Sequence, residues 1–273
     1  MRQIDLPLQI DHLRTLGNDF NALRSTVTAL DAQPGSGMLQ QLGPKILAAH
    51  ELIGRTLVRL SALDGSQYTA VPGSRAALET LGEVVVSASV AAAQLSRAVA
   101  DNPLEAAPFA TGQRFDDALA RQARHTEAAP LLAESLTTAV HHLDLCATCC
   151  QYTASGIARD LKEHPEHLPE IPQLTGAQYK TLDTIAQGGV RQHRRLGGGI
   201  SVRAGNGSSI HATPFAVLQK HRLVRVSAAS SPLAEQDVTV TALGRLALDI
   251  QLPGPTPSQG NVPEPRKPKG RHR

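Results

Sequence analysis

The densest run of chemistry-bearing side chains is His141-His142-x3-Cys146-x2-Cys149-Cys150. On a helix, His142, Cys146 and Cys149 fall at i, i+4 and i+7, so one face would offer an imidazole and two thiolates to zinc or copper. The same residues also fit a plain apolar stripe. Cys150 lies on the hydrophobic repeat of that helix, where cysteine behaves as a small hydrophobe, and zinc sites normally gather ligands from two elements. Only the histidines lie close enough in sequence to depress a thiol pKa, so redox sensing has little to support it. The cluster therefore reads as core, and no metal or cofactor is expected.

Other patterns carry less. His164-x-x-His167 lacks the glutamate and the helix of a His-Glu-x-x-His site and reads as solvated linker. Gly188-Gly189, Gly197-Gly198-Gly199 and Gly205-Asn206-Gly207 are followed by no Gly-Lys-Ser/Thr, so turns are the better reading than a phosphate-cradling loop. There is no Gly-x-Ser-x-Gly elbow. No catalytic centre emerges, and an enzyme is not expected.

Basic side chains are more informative. Arg191, His193, Arg194, Arg195 and Arg203 share one glycine-rich stretch, and Lys220, Arg222 and Arg225 follow a short helical pattern. If these two groups share a face they form an electrostatic footprint for phosphates; the alternative is that they are arginines pointing outward from a solvated strand. A third group, Arg266, Lys267, Lys269, Arg271 and Arg273, closes the chain. The net charge of +3 hides an asymmetry: residues 1–170 hold 13 Lys+Arg against 19 Asp+Glu, whereas residues 171–273 hold 14 against 5. The first part should avoid polyanions and the second attract them.

The elements that must carry these groups divide the chain. Residues 1–163 read as helix almost throughout. One apolar stripe runs from Ile10 to Leu30, and a second helix starts at Pro44. A third spans Ser74 to about Ala100, and a shorter one lies near Phe115 to Glu127. Pro130 then opens the last long helix, with Leu132, Leu136, Leu143, Cys150, Ile157 and Leu161 on its stripe. Short loops between such helices predict an antiparallel bundle. Residues 164–173 are a polar, proline-punctuated linker. Residues 174–252 mix helix and strand: a helix over Ala177 to Gln187, a β-hairpin around Asn206-Gly207, a helix opened by Thr213-Pro214, the strands Val224-Arg-Val226 and Asp237 to Val240, and a final helix capped by Thr241. Residues 253–273 are too poor in apolar side chains to fold and should be a disordered basic tail. The fold class expected is mainly α, an N-terminal antiparallel helical bundle plus a small α+β domain.

His221-Arg222-Leu223-Val224 and Val240-Thr241-Ala242-Leu243-Gly244-Arg245 give the second domain a likeness. It resembles the winged-helix DNA-binding fold of MarR-like regulators, in which a helix ending in Leu-Val leads into a two-stranded wing closed by a Leu-Thr-x-x-Gly-Arg helix start. The likeness covers residues 174–252, with a hairpin in place of the usual support helix and a wing that carries Glu235 and Asp237 but no lysine or arginine. In the tail, Lys267-Pro-Lys-Gly-Arg271 is similar to an AT-hook core, which lies along a narrow A·T minor groove. His272 stands where that motif has its second proline.

Composition narrows the class further. Hydrophobic residues make up 41 % of the chain, which suits a globular protein, and three cysteines within five positions are no disulfide framework. The N-terminus lacks the pattern of a signal peptide, and the apolar run from Val84 to Leu95 falls short of a membrane span, so a cytoplasmic chain is expected. Seven aromatics, none among the basic runs, disfavour a single-strand or RNA stacking platform. The reading is a bacterial duplex DNA-binding protein, a transcriptional regulator or DNA-associated factor, whose bundle serves self-association or partner docking. The alternative is a protein-interaction module whose winged domain does not read DNA.

Overall fold

The computed structural model describes residues 2–103, 117–194, 200–228 and 235–251. The protein is mainly helical with one small antiparallel sheet, as expected. Helices α1 (Leu6–Thr28), α2 (Ser36–Asp64), α3 (Ser74–Asp101) and α4 (Asp117–Glu163) form the N-terminal bundle.

In α1, the Asp5 side chain accepts the Leu8 N–H at 3.0 Å as an N-cap, and Pro7 sits where its missing donor costs nothing. The stripe Leu6, Ile10, Leu13, Leu16, Phe20 and Val27 is buried, as its spacing predicts. Side-chain pairs fix the helix directions. Arg55 meets Asp19 at 2.6 Å and Arg59 meets Gln9 at 3.0 Å, so α1 and α2 run antiparallel. Asn102, at the end of α3, clasps both backbone groups of Gly35 at the start of α2. Tyr68, between α2 and α3, donates to Asp160 near the end of α4 at 3.2 Å. Gln151 of α4 reaches the Arg14 carbonyl at 3.1 Å and Asn18 at 3.0 Å. Gly17 permits the close approach of α1 and α4, since a Cβ there would lie 3.1 Å from the Ala147 carbonyl oxygen. By length and composition α3 is apolar enough to cross a membrane, but here Leu81, Val84, Ala88, Ala92 and Leu95 are buried in the core between α2 and α4.

Two expected boundaries are corrected, both at prolines. Helix α2 begins at Ser36 rather than Pro44, because Met38 and Leu42 are buried in the bundle core and hold the preceding turns helical. The shorter helix and the long one joined at Pro130 form a single α4 of 47 residues, about 70 Å long by helical rise. Pro130 removes one backbone hydrogen bond, but Ala128 and Leu132 on either side are buried, and packing carries the helix through.

The C-terminal part contains α5 (Gly176–Ala186), β1 (Val190–Arg194), β2 (Ile200–Arg203), β3 (Ser209–Ile210), α6 (Ala212–Lys220), β4 (Val224–Val226), β5 (Gln236–Val240) and α7 (Ala242–Ile250). The sheet order is β3-β2-β1-β5-β4, antiparallel throughout. Val190, Val202, Val224, Val238 and Val240 share its buried face, where Leu182 and Ile185 of α5, Phe215 and Leu218 of α6 and Ala247 of α7 complete a second core. Strand β1 was not expected as a separate element, because Val190-Arg-Gln-His-Arg194 contains a single apolar residue. Helix α6 starts at Ala212 with His211 as an N-cap that makes no side-chain bond, so Thr213 lies inside the helix instead of capping it.

The linker does more than separate the two parts. Leu168 packs against the bundle core and Ile171 against the second core, while Gln251 binds the Pro172 carbonyl at 2.8 Å and the Leu174 N–H at 2.9 Å. The two parts also touch directly. Both oxygens of Asp11, on α1, accept the Ala242 N–H at the start of α7, at 3.0 and 3.1 Å, and Ala242 is buried in the bundle core. Lys162 meets Asp249 at 3.4 Å.

Candidate nucleic-acid interface

Strand register decides where the hairpin arginines go. Arg203 stands opposite Arg191, and Arg191 opposite Asp237, so all three project from the face of the sheet away from the valine core. Arg225, opposite Thr239, belongs to the same outer face. Arg191, Arg203 and Arg225 are exposed there. Helix α6 packs on the other side, so Lys220 in its last turn does not share that plane. The structure thus brings Arg191, Arg203 and Arg225 onto one face and sets Lys220 and Arg222 at the helix end beside its β4 edge.

These cations are not equivalent. Arg191 Nη1 meets Glu235 Oε2 at 2.7 Å and its Nε lies 3.7 Å from Asp237, so two carboxylates already answer its charge. The same hydrogen bond from Arg191 holds the Glu235 carboxyl below the usual range, and His193 stands 3.6 Å from it. Arg222 lies 3.9 Å from Asp5, with its side chain 82 % exposed. Arg203, Lys220 and Arg225 have no ion-pair partner among the described residues. The side chain of Arg194 lies outside the described residues, as do Arg195, Arg266, Lys267, Lys269, Arg271 and Arg273.

The turn after α6 is built around Arg222. The Leu223 N–H returns to the Leu218 carbonyl at 2.9 Å and the Arg222 N–H to that of Gln219 at 3.0 Å, the bond pattern of a Schellman cap. Its left-handed position normally takes glycine, yet Arg222 occupies it with φ 57°. An L-residue in that conformation costs roughly 1–2 kcal/mol, so the position keeps an exposed guanidinium at the expense of backbone ease. Thr241 fastens the turn, its hydroxyl donating to the Arg222 carbonyl at 2.7 Å and accepting from the Gly244 N–H at 3.1 Å. Gly244 is required by the same contact, because a Cβ there would overlap the Leu223 carbonyl oxygen.

One part of the surface was missed by counting charges. His211 before α6 and Thr213, Ala216, Gln219 and Lys220 along it are exposed; Thr213, Ala216 and Lys220 lie opposite buried Phe215 and Leu218, with Gln219 on the flank. They are the complement of the apolar repeat and could have been read from it. Apart from Ala216 these side chains carry hydrogen-bonding groups of the kinds that can meet base edges.

The other sequence candidates are placed as follows. Cys146 and Cys150 are fully buried, and burial pushes both thiols up to about 12. Cys146 Sγ lies 3.5 Å from the Val84 carbonyl, pointing into the bundle. No group of three or more His, Cys, Asp and Glu is placed to hold a metal ion among the described residues. His164 and His167 both face Glu166, at 3.3 and 3.9 Å.

Compared with known proteins, the chain matches no family model, no curated protein and no solved structure.

Proposed function

We infer that this chain is a duplex DNA-binding protein, a regulator or DNA-associated factor of the winged-helix kind, whose helical bundle serves self-association or docking of a partner. The observation that carries the reading is the uncovered face of α6. Exposed His211 at the N-cap and Thr213, Ala216, Gln219 and Lys220 along the helix lead to the exposed Arg222 in the turn that follows. Threonine, glutamine and histidine can hydrogen-bond base edges in a major groove, while Lys220 and Arg222 at the helix end would meet phosphates; Arg203 and Arg225 face away from α6 on the outer side of the sheet and take no part in this contact. The basic tail adds a phosphate contact, with an A·T preference where its AT-hook likeness applies. No covalent chemistry belongs to this reading, and it suits a cytoplasmic chain.

A second reading is favoured by one contact. The pairing of Arg191 with Glu235 and Asp237 withdraws a cation from the outer sheet face and leaves acids in the wing, which suits a protein partner better than a polyanion. Duplex binding by the full chain, titrated with salt, separates the two. Affinity that falls steeply with log salt, and that weakens on Gln219→Ala with an unchanged slope, supports base reading by α6. No duplex affinity even at low salt would establish the docking reading in its place.

A further inference from the structure

A cleft of about 680 Å³ opens where the C-terminal part meets the bundle. Arg14 of α1, Ser155, Arg159 and Lys162 of α4, and Arg245 and Asp249 of α7 supply its polar walls. Four cations therefore face one carboxylate, and that carboxylate is shared with Lys162 at 3.4 Å. Arg159 lies 3.4 Å from Asp160. Arg245 is exposed, and its side chain has no hydrogen-bond or ion-pair partner among the described residues. Arg14 is the most constrained: its Nη1 is buried with no hydrogen-bond partner and stands 3.9 Å from Asp11, whose oxygens are committed to the Ala242 N–H. Burial and the nearby Arg245 charge both oppose its protonated form. Like charges gathered in a partly desolvated recess raise the local potential and leave guanidinium donors unsatisfied, which an incoming anion relieves.

We propose that this cleft is a binding site for a small molecule carrying at least two phosphate groups. Three arginines offer planar forks that match phosphate oxygens two at a time, and four cations spread over three helices suit two phosphates better than one. The volume lies within the range of small-molecule sites. No aromatic side chain lines the cleft, so recognition falls on the phosphates and not on a stacked base. No residue of α6 or of the sheet contributes, so the site is distinct from the surface assigned to DNA and does not depend on that assignment. Because its walls come from α1 and α4 on one side and α5 and α7 on the other, the bound anion would bridge the two parts of the chain and stabilise their docking.

Calorimetry of the full chain with inorganic pyrophosphate tests this, with thermal melting in parallel. Expected are saturable one-to-one binding, a rise in melting temperature, and no heat from adenosine. Arg245→Gln should weaken binding at least tenfold, and Asp249→Asn, which removes the one carboxylate lining the cleft, should tighten it several-fold. Deleting residues 253–273 should leave it unchanged. Arg245 lacks a partner to lose, so its variant keeps the fold even if Arg14→Gln does not. Absence of saturable binding, binding unmoved by Arg245→Gln, or binding lost with the tail would each overturn the proposal.

Discussion

Arg191 and Glu235 meet at 2.7 Å across the outer face of the sheet, joining β1 to the residue that precedes β5. The pair is exposed, with side chains 59 % and 49 % accessible, so it adds little stability, but it sets which arginine is available to a phosphate.

If DNA engages this outer face in place of α6, Arg203→Ala should weaken duplex binding and flatten the plot of log affinity against log salt by roughly 0.9. Arg191→Ala should leave that slope nearly unchanged, because Arg191 is spent on Glu235 and Asp237 and makes no phosphate contact to lose. Glu235→Gln should strengthen binding. Equal losses at Arg191 and Arg203 would show that the ion pair does not persist in the complex.

The cap that crosses between the two parts can be removed alone. Asp11→Ala should destabilise the chain by ~1–2 kcal/mol, the scale of a lost N-cap, while Asp11→Asn should keep part of that as a remaining acceptor. Urea unfolding gives the magnitude, and amide exchange should quicken at Ala242 first.

Two glycines should respond with opposite sign. Gly244→Ala drives a methyl group into the Leu223 carbonyl and should cost at least ~1–3 kcal/mol, the range of overpacking. Gly82→Ala, inside α3 with nothing within 4 Å of its new Cβ, should stabilise by ~0.5–1 kcal/mol. Melting temperatures of the two variants measure both.

Acid should weaken the fold through His12. Burial first, and the Arg59 charge next, lower its pKa, with Arg225 acting the same way and Asp11 and Asp5 opposing. Its Nδ1 stands 2.8 Å from Arg59 Nη1, a contact that requires an unprotonated acceptor. The unfolded chain therefore takes up this proton before the folded one. Stability should be full above the ordinary histidine value of about 6.5 and decline as pH falls below it towards the lowered value. His12→Gln, which keeps an acceptor for Arg59, should flatten the dependence of the urea midpoint between about pH 7 and 5. His142, lowered by burial and by His141, adds a slope of the same sign.

Apolar periodicity made most of the bundle legible, since stripes such as Leu6 to Val27 and Leu132 to Leu161 are the buried faces. It failed where local chemistry and packing disagree. Pro44 and Pro130 signal helix starts in isolation, and only the burial of Met38, Leu42, Ala128 and Leu132 keeps α2 and α4 continuous through them. The hairpin at Asn206-Gly207 and the Thr241 cap were visible because turn and cap residues act over a few positions. Which arginines share a face was not, because β1 had no apolar alternation and its register is set by β2 and β5. The basic cleft was also out of reach: Arg14, Arg159 and Arg245 are far apart in the sequence, and each alone reads as an ordinary solvated charge.

The contact between Asp11 and Ala242 spans 231 residues, and a ribosome delivers its two halves in a fixed order. The carboxylate emerges early and stays hydrated until α7 arrives, which costs it nothing. The helix that arrives last finds its acceptor already held in place by a bundle whose own partners have all been made. Nascent chains stalled before residue 242 should therefore carry a finished bundle, whereas a chain that begins after α1 would leave the Ala242 N–H without Asp11 to dock on.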